Sequence, residues 1–412
     1  MTGVESRPGG RGAAWRVLRH ADYRLLWAGQ FVSTAGSAVQ LVAVAWQVYT
    51  LTNSPAQLGL LGLLRAVPLL ALSLVGGVFA DTIDRRRLLI VTQSISLLLS
   101  GVLALATALG VITIGLIYAV TFLAGVTSAF NGPARQALIP SLVPREELAA
   151  ALTVNVTAAL VATVLGPSLG GFVVAAAGLA VAYGVDAVSF AAVIAALILM
   201  RADIRGPLAA RRGGVGLLLG GLTFIRGNHL ILAMLLLDFV ALFCGSVQAL
   251  LPIYTRDLLH VGAEGLGYLY TAASAGAMLG TLGLSARGHL RRPGLVFLVG
   301  IAAYGVCGGL SGLSHTFWLS LLLVAGTGAA DAVASIVRGT ILQLATPDEL
   351  RGRVTAVYLA FDQGGPQLGQ VRAGVVAQLS SAGITAGAGG LIVVAATALV
   401  AALVPKVRRY AA

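Results

Sequence analysis

The sequence predicts an all-α integral membrane protein whose twelve transmembrane helices form two pseudo-symmetric six-helix bundles. Three observations predict it. First, 58% of the 412 residues are hydrophobic and only 10% are charged, with a mean hydropathy of +0.93. A soluble globular chain carries about 25% charged residues and needs them to cover its surface. Second, the apolar residues fall into twelve runs, each near the roughly 20 residues that cross a bilayer as a helix. Third, the two halves of the chain repeat.

The runs lie near 25–49, 57–80, 88–109, 112–139, 149–174, 178–200, 229–254, 264–286, 294–313, 316–345, 354–378 and 383–404. The first is too long for a signal peptide and lacks a cleavage signature, so it reads as a retained span. The loops are short and leave no room for a soluble domain. The 53 glycines are spread through the spans, where small residues let helices approach closely in lipid. The longest polar interruption starts at Arg201 and contains Pro207, Arg211 and Arg212. It divides the chain into a tail (1–24), a first bundle (25–200), a linker (201–228), a second bundle (229–404) and a terminal tail (405–412). Within the linker, Val215 to Gly227 is moderately amphipathic and suits the membrane interface.

The repeat is clearest where Arg135 precedes Pro144 by nine residues and Arg338 precedes Pro347 by nine, at an offset of 203. Acids and a leucine follow in both copies, Glu146, Glu147 and Leu148 in one, Asp348, Glu349 and Leu350 in the other. Such duplicated bundles can rock about a midplane site, which is a signature of transporters.

The formal charge of +12 would suggest nucleic acid in a soluble protein. Here the cations follow topology instead. With the N-terminus inside, every Lys and Arg falls in a tail or a same-side loop except Arg256, in an opposite-side loop, and Arg65, Arg135, Arg338 and Arg372, within spans. That asymmetry places both termini in the cytoplasm and leaves no basic surface for nucleic acid. Cys244 and Cys307 lie inside apolar runs and the five histidines are scattered, so neither a disulfide framework, a metal site nor a cofactor is expected.

Between spans 2 and 3 the chain reads Gly76-Gly-Val-Phe-Ala-Asp-Thr-Ile-Asp-Arg-Arg-Arg87. This resembles the signature loop of the major facilitator superfamily, with Gly77, Asp81, Asp84, Arg85, Arg86 and Arg87 at matching positions. Asp22-Tyr-Arg-Leu-Leu-Trp-Ala-Gly-Gln30 and Gly132-Pro-Ala-Arg-Gln-Ala-Leu-Ile-Pro-Ser-Leu-Val-Pro144 resemble the macrolide-efflux and enterobactin-exporter branch, the transmembrane secretion effectors. In span 5, Gly166, Pro167, Gly170 and Gly171 resemble the kinked segment of drug:proton antiporters. Span 11 departs from the pattern, with Asp362 and Pro366 in place of a milder Gly-rich stretch.

The resemblance implies a secondary transporter, not an enzyme, working as a monomer in the cell membrane. It would export drugs, secondary metabolites or siderophores in antiport with protons. An importer on the same fold is the alternative; a membrane-embedded enzyme or a channel fits less well, since neither a catalytic constellation nor a pore motif is present. The resemblance further implies a cytoplasmic gate, in which Asp81 latches to the start of span 11 near Arg351 or Arg353. An Asp there would meet both a helix N-terminus and an arginine.

Ionisable side chains near a bilayer centre cost roughly 2.5–3.5 kcal/mol on insertion scales. Four acids (Asp186, Asp238, Asp331 and Asp362) meet four bases (Arg65, Arg135, Arg338 and Arg372) within spans, so full pairing is possible. Asp331 and Arg338 are two turns apart on one helix face. Either each acid serves to bury an arginine, or one or two exchange a proton as neighbouring charges move. Asp331 is the first candidate proton carrier and Asp238 the second, ahead of Asp362 and Asp186. Gln40, Trp46, Phe122, Asn131, Phe239, Gln248 and Tyr358 are candidate cavity residues, and Arg65 and Arg372 leave room for an anionic group.

Overall fold

A computed structural model describes residues 16–82, 84–201, 215–288, 290–347 and 349–410; the side chains of 73–82, 215–219 and a few single helix positions are left aside. The described residues are helical, with short connections. We number the membrane helices α1 (Ala21–Thr52), α2 (Pro55–Thr82), α3 (Arg85–Ala108), α4 (Ile114–Leu138), α5 (148–177) and α6 (179–199) in the first half. The second half has α7 (His229–Gly245), α8 (Gly262–Arg287), α9 (Pro293–Leu313), α10 (Phe317–Ala345), α11 (Arg351–Leu379) and α12 (Ala382–Leu403). A linker helix, Val215–Gly227, joins them.

The helix ends follow from local chemistry. Asp84 caps α3 by accepting from the backbone N–H of Arg86 and Arg87, Thr113 caps α4 and Asn228 caps α7, each satisfying donors that a first turn leaves open. Gly178, at φ +84°, reverses the chain between α5 and α6, a backbone conformation that a residue with a Cβ adopts only under strain.

Among the described residues, nine helical stretches are apolar and long enough to span a bilayer by composition, and one of them, Arg145–Leu199, holds both α5 and α6. The two that fall short are α8 and α11. Both sit at the junction of the halves, where α11 packs on α2 and α8 packs on α5.

The packing is pseudo-symmetric. In the first half α1 packs on α5 and α6, α2 on α4, and α3 on both α4 and α6. In the second, α7 packs on α11 and α12, α8 on α10, and α9 on both α10 and α12. The same exchange maps the α2–α11 contact onto the α8–α5 contact, so the two junctions are copies of one another.

The sequence places span 7 at 229–254, but α7 ends at Gly245 and the chain continues through Ser246 in short turns to Leu258. The carbonyls freed at this break are taken by Arg372 of α11, which donates from Nε to Phe243 O (2.8 Å) and from Nη2 to Cys244 O (2.6 Å). A cation at a helix C-terminus also meets the negative end of the helix dipole. Non-helical backbone at membrane depth is tolerated where protein groups satisfy it in this way.

Candidate functional site

The halves meet on the face opposite the termini. On one side Ser54 of the α1–α2 turn donates to Gln378 Oε1 at 2.9 Å, and Gly59 and Gly62 of α2 lie against Gln370 of α11. On the other, Gly171 of α5 lies against Gly267 of α8, and Ser274 donates to Val164 O. At the end of α1, the Tyr49 hydroxyl donates to Asp257. Arg256 donates to Tyr49 O at 3.1 Å and sits 5.5 Å from the Tyr49 ring centroid. Arg256 and Asp257 were not among the sequence candidates. The signal was there, because Arg256 is the one cation outside the spans that breaks the same-side pattern.

Tyr49→Phe removes a hydrogen bond to a charged group, worth about 1.5–3 kcal/mol. We expect it to shift the protein toward opening on this face by roughly tenfold. Maleimide labelling of a cysteine placed at the buried position Ala377 should rise accordingly; unchanged labelling would mean that Tyr49 does not hold this face shut.

Between the halves lies a cavity of about 380 Å³. Leu41, Val44, Arg65, Thr121 and Pro167 line it from the first half, and Gln248, Tyr270, Asp331, Pro366 and Gln370 from the second. A second chamber of about 410 Å³ adjoins it, sharing Leu41, Arg65, Pro167 and Gln367, and extends into the first bundle. Its lining is rich in hydroxyls and amides, including Ser33, Ser37, Gln40, Ser100, Thr127 and Asn131.

The charged residues do not pair four against four. Arg338, 2% exposed, is ion-paired with Asp238 of α7. Its Nη2 also donates to Asp362 Oδ1 (3.0 Å) and to the Tyr358 hydroxyl (2.9 Å), and Tyr358 in turn donates to Asp362 at 3.1 Å. One arginine thus ties α7, α10 and α11 together. Asp331 is not its partner: seven residues span about 10.5 Å of helix axis, too far for a direct bridge. Asp331 is exposed to the cavity instead, with no hydrogen-bond or ion-pair partner among the described residues.

Asp186 is fully buried and accepts from Ser100 (2.7 Å) and Ser37 (3.2 Å). Gln40 donates to Ser100 at 2.8 Å and completes that chain. Arg65 faces both cavities and has no ion pair among the described residues. Arg135, the repeat copy of Arg338, has no acid beside it among the described residues, and its Nε is buried without a partner among them. The symmetry of the repeat therefore stops at its charges.

Of the cavity candidates, Gln40 and Asn131 line the side chamber, Gln248 the central cavity, and Arg65 both. The others lie elsewhere. Trp46 packs against a hydrophobic core and Phe122 is exposed outside both cavities. Phe239 stacks on Phe243 and meets Phe361 edge to face, Tyr358 belongs to the Arg338 cluster and Arg372 to the α7 break. Each was a polar or aromatic residue on a helix expected at the cavity, and rotation of the helix about its axis turned it away, into packing or, for Phe122, onto the exposed surface. Gln367 and Gln370, which sequence reasoning missed, lie beside Pro366 in the segment of span 11 where the pattern departs.

Around the signature loop, Arg85 donates to Ala137 O (2.9 Å) at the end of α4. Arg86 donates to Leu197 O (2.7 Å) and Ile198 O (2.9 Å) at the end of α6. These cations cap the carbonyl ends of neighbouring helices. Arg87 lies 3.7 Å from Asp84. The side chain of Asp81 and the placement of Gly77 lie outside the residues whose side chains are described. At the start of α11, the guanidinium of Arg353 lies against Gly220 of the linker helix. Pro167 faces the cavity while Gly166 and Gly170 sit against Ala35, Ala38 and Val39 of α1, so the kinked segment of α5 is closely packed.

Two pseudo-symmetric six-helix bundles around a cavity at their junction define a transporter of the major facilitator fold, not an enzyme. A family model described as transmembrane secretion effector matches residues 12–411, and the chain belongs to that family. It is similar to the enterobactin exporter EntS of Escherichia coli O81 (strain ED1a), 27% identical over 397 residues, which cover 95% of this chain and 94% of the relative. EntS of Citrobacter koseri (strain ATCC BAA-895 / CDC 4225-83 / SGSC4696) matches equally, at 27% over 397 residues and the same shares of 95% and 94%. Among solved structures, a bacterial homologue of the iron transporter ferroportin in an inward-facing state superposes with a TM-score of 0.70 at 15% identity, covering 94% of this chain and 99% of that one. A POT family transporter in complex with a thioalcohol conjugated peptide gives 0.71 at 12% identity, over 93% and 96%. At these identities the structures share the fold alone.

Proposed function

We propose that this multi-pass membrane protein exports small amphipathic organic molecules by alternating access, in antiport with protons. The observation that carries the reading is the cavity between the bundles, in which Arg65 of the first half and Asp331 of the second are both unpaired among the described residues. Charge in low dielectric without a partner is costly, and a transporter that exchanges a substrate for a proton supplies partners at different points of its cycle. The relatives are exporters, which supports the outward direction.

In this reading the protein sits as a monomer in the inner or plasma membrane with both termini cytoplasmic, as its cation distribution favours. The bundles 25–200 and 229–404 are the moving bodies, and 201–228 connects them. Contacts on the face opposite the termini then correspond to an inward-open state. Asp81 would latch toward Arg351 or Arg353 when the cytoplasmic side closes. Asp331 carries the proton; Asp238 and Asp362, being held by Arg338, are less available.

Inverted membrane vesicles with an imposed pH gradient test this, with siderophores, macrolides and dyes as substrates. The wild type should accumulate substrate when the gradient is applied. Asp331→Asn should lower gradient-driven accumulation at least tenfold, about 1.4 kcal/mol of coupling, while leaving counterflow exchange intact. Asp81→Asn is expected to abolish transport without loss of insertion. Wild-type accumulation by Asp331→Asn would remove that residue from the coupling role, and gradient-driven loss of substrate from wild-type inverted vesicles would favour import.

A further inference from the structure

We propose that the side chamber of the first bundle is an anion-binding subsite, with Arg65 as its recognition group, and that the transported molecules are organic anions carrying a hydrogen-bond donor. The proposal rests on the transporter reading and narrows its substrate class.

Arg65 is the only charged side chain that lines the chamber among the described residues. The acid behind the chamber wall does not neutralise it within bonding distance: Asp186 is buried and engaged by Ser37 and Ser100. The acid of the central cavity, Asp331, is not bridged to it either. An arginine that lines a low-dielectric chamber, whose neighbouring carboxylate Asp186 is held by two serines and makes no ion pair with it among the described residues, favours a ligand that brings the negative charge, and its planar fork suits carboxylates and other oxyanions. A second observation points the same way. Asn131 lines the chamber and its buried Oδ1 has no hydrogen-bond partner. Buried acceptors are paired in nearly all proteins, so a ligand O–H or N–H would satisfy it.

The other candidate for this role, Arg372, is excluded by its hydrogen bonds to Phe243 O and Cys244 O. The central cavity next door adds apolar side chains from both bundles, Val44 and Leu61 from the first and Ala273 and Ala277 from the second. The ligand therefore lies with its anionic end in the chamber at Arg65 and its apolar body between the bundles. A cationic group gains nothing from the side chamber, because its charge would face Arg65 there.

The test is equilibrium binding to the purified full-length protein in detergent, by fluorescence anisotropy, with fluorescein as the anionic probe and rhodamine 123 as the cationic one. Fluorescein should bind the wild type, bind at least tenfold more weakly to Arg65→Gln, and recover with Arg65→Lys. Asn131→Asp places an acid in the same chamber and should also weaken fluorescein at least tenfold, with a near-isosteric side chain if Arg65→Gln does not fold. Rhodamine 123 should bind neither variant more weakly than wild type. No fluorescein binding to the wild type, or equal fluorescein affinity in the wild type and Arg65→Gln, overturns the proposal. Binding needs neither a gradient nor a direction. Arg65-dependent fluorescein binding without any vesicle transport would thus sink the transport reading and leave the subsite. Vesicle transport with Arg65-independent binding would do the reverse.

Discussion

Replacing Arg338 with methionine is expected to destabilise the folded protein by about 3–5 kcal/mol, the cost of leaving buried charge without its partner. Arg338 is 2% exposed and holds Asp238 and Asp362 together, with Tyr358 donating to the same Asp362 oxygen. Its loss strands two carboxylates from two other helices against each other, so the damage reaches α7, α10 and α11 at once. Unfolding of the purified protein in detergent, followed by heat or denaturant, measures it. The triple variant Arg338→Met, Asp238→Asn, Asp362→Asn should recover more than half of the loss, because it removes the charges together and leaves no unpaired ion. Near-wild-type stability of Arg338→Met alone would show that the cluster is solvated and contributes little. The outcome also bears on coupling: a cluster that holds its charges this firmly is a poor proton carrier, which is why Asp331 is the better candidate.

Gly171→Leu is expected to reduce transport at least tenfold, about 1.4 kcal/mol in barrier or population, with little effect on the stability of the folded protein. A side chain at this position would run into the backbone of Gly267 on α8. The closest approach of α5 and α8 exists because neither residue has a Cβ. Leucine wedges the bundles apart on the face opposite the termini, so that face cannot close. The contact lies between bundles and not within one, which is why stability should survive. A cysteine pair at Ser54 and Gln378, at the copy of this junction between the α1–α2 turn and α11, reports closure. Its disulfide should form readily in the wild type and slowly in Gly171→Leu. Efficient cross-linking together with normal transport would show that the approach can be relaxed without consequence.

Much of the fold was legible because membrane insertion imposes simple rules. A helix must be long and apolar to satisfy its own backbone in lipid, so twelve runs could be read from hydropathy and the duplicated Arg-to-Pro spacing. The break in span 7 was not legible. Val247 to Ile253 is mostly apolar and continues the run, and what permits the break is Arg372, 128 and 129 positions from the two carbonyls it satisfies. The candidate site was legible by type and not by address. Span membership pointed to Gln40, Arg65, Asn131 and Gln248 as cavity residues and to Asp331 as a proton carrier, since each lies on a helix that borders the junction. The same reasoning chose Trp46, Phe122, Phe239, Tyr358 and Arg372, which the rotation of their helices turned elsewhere.

The sequence by itself determined the class of protein, the number of spans, the repeat and the set of charges that lie in the membrane. All of these are one-dimensional properties, set by the length of apolar runs and the positions of ionisable residues along them. Which charge meets which was decided only by the tertiary structure. Pairing depends on helix rotation and crossing, and these are set by small residues such as Gly171 and Gly267 that let particular helices touch. The same four acids and four arginines could have paired completely. In the folded protein one arginine gathers two acids, serines hold a third, and Arg65 and Asp331 are left to face the cavity.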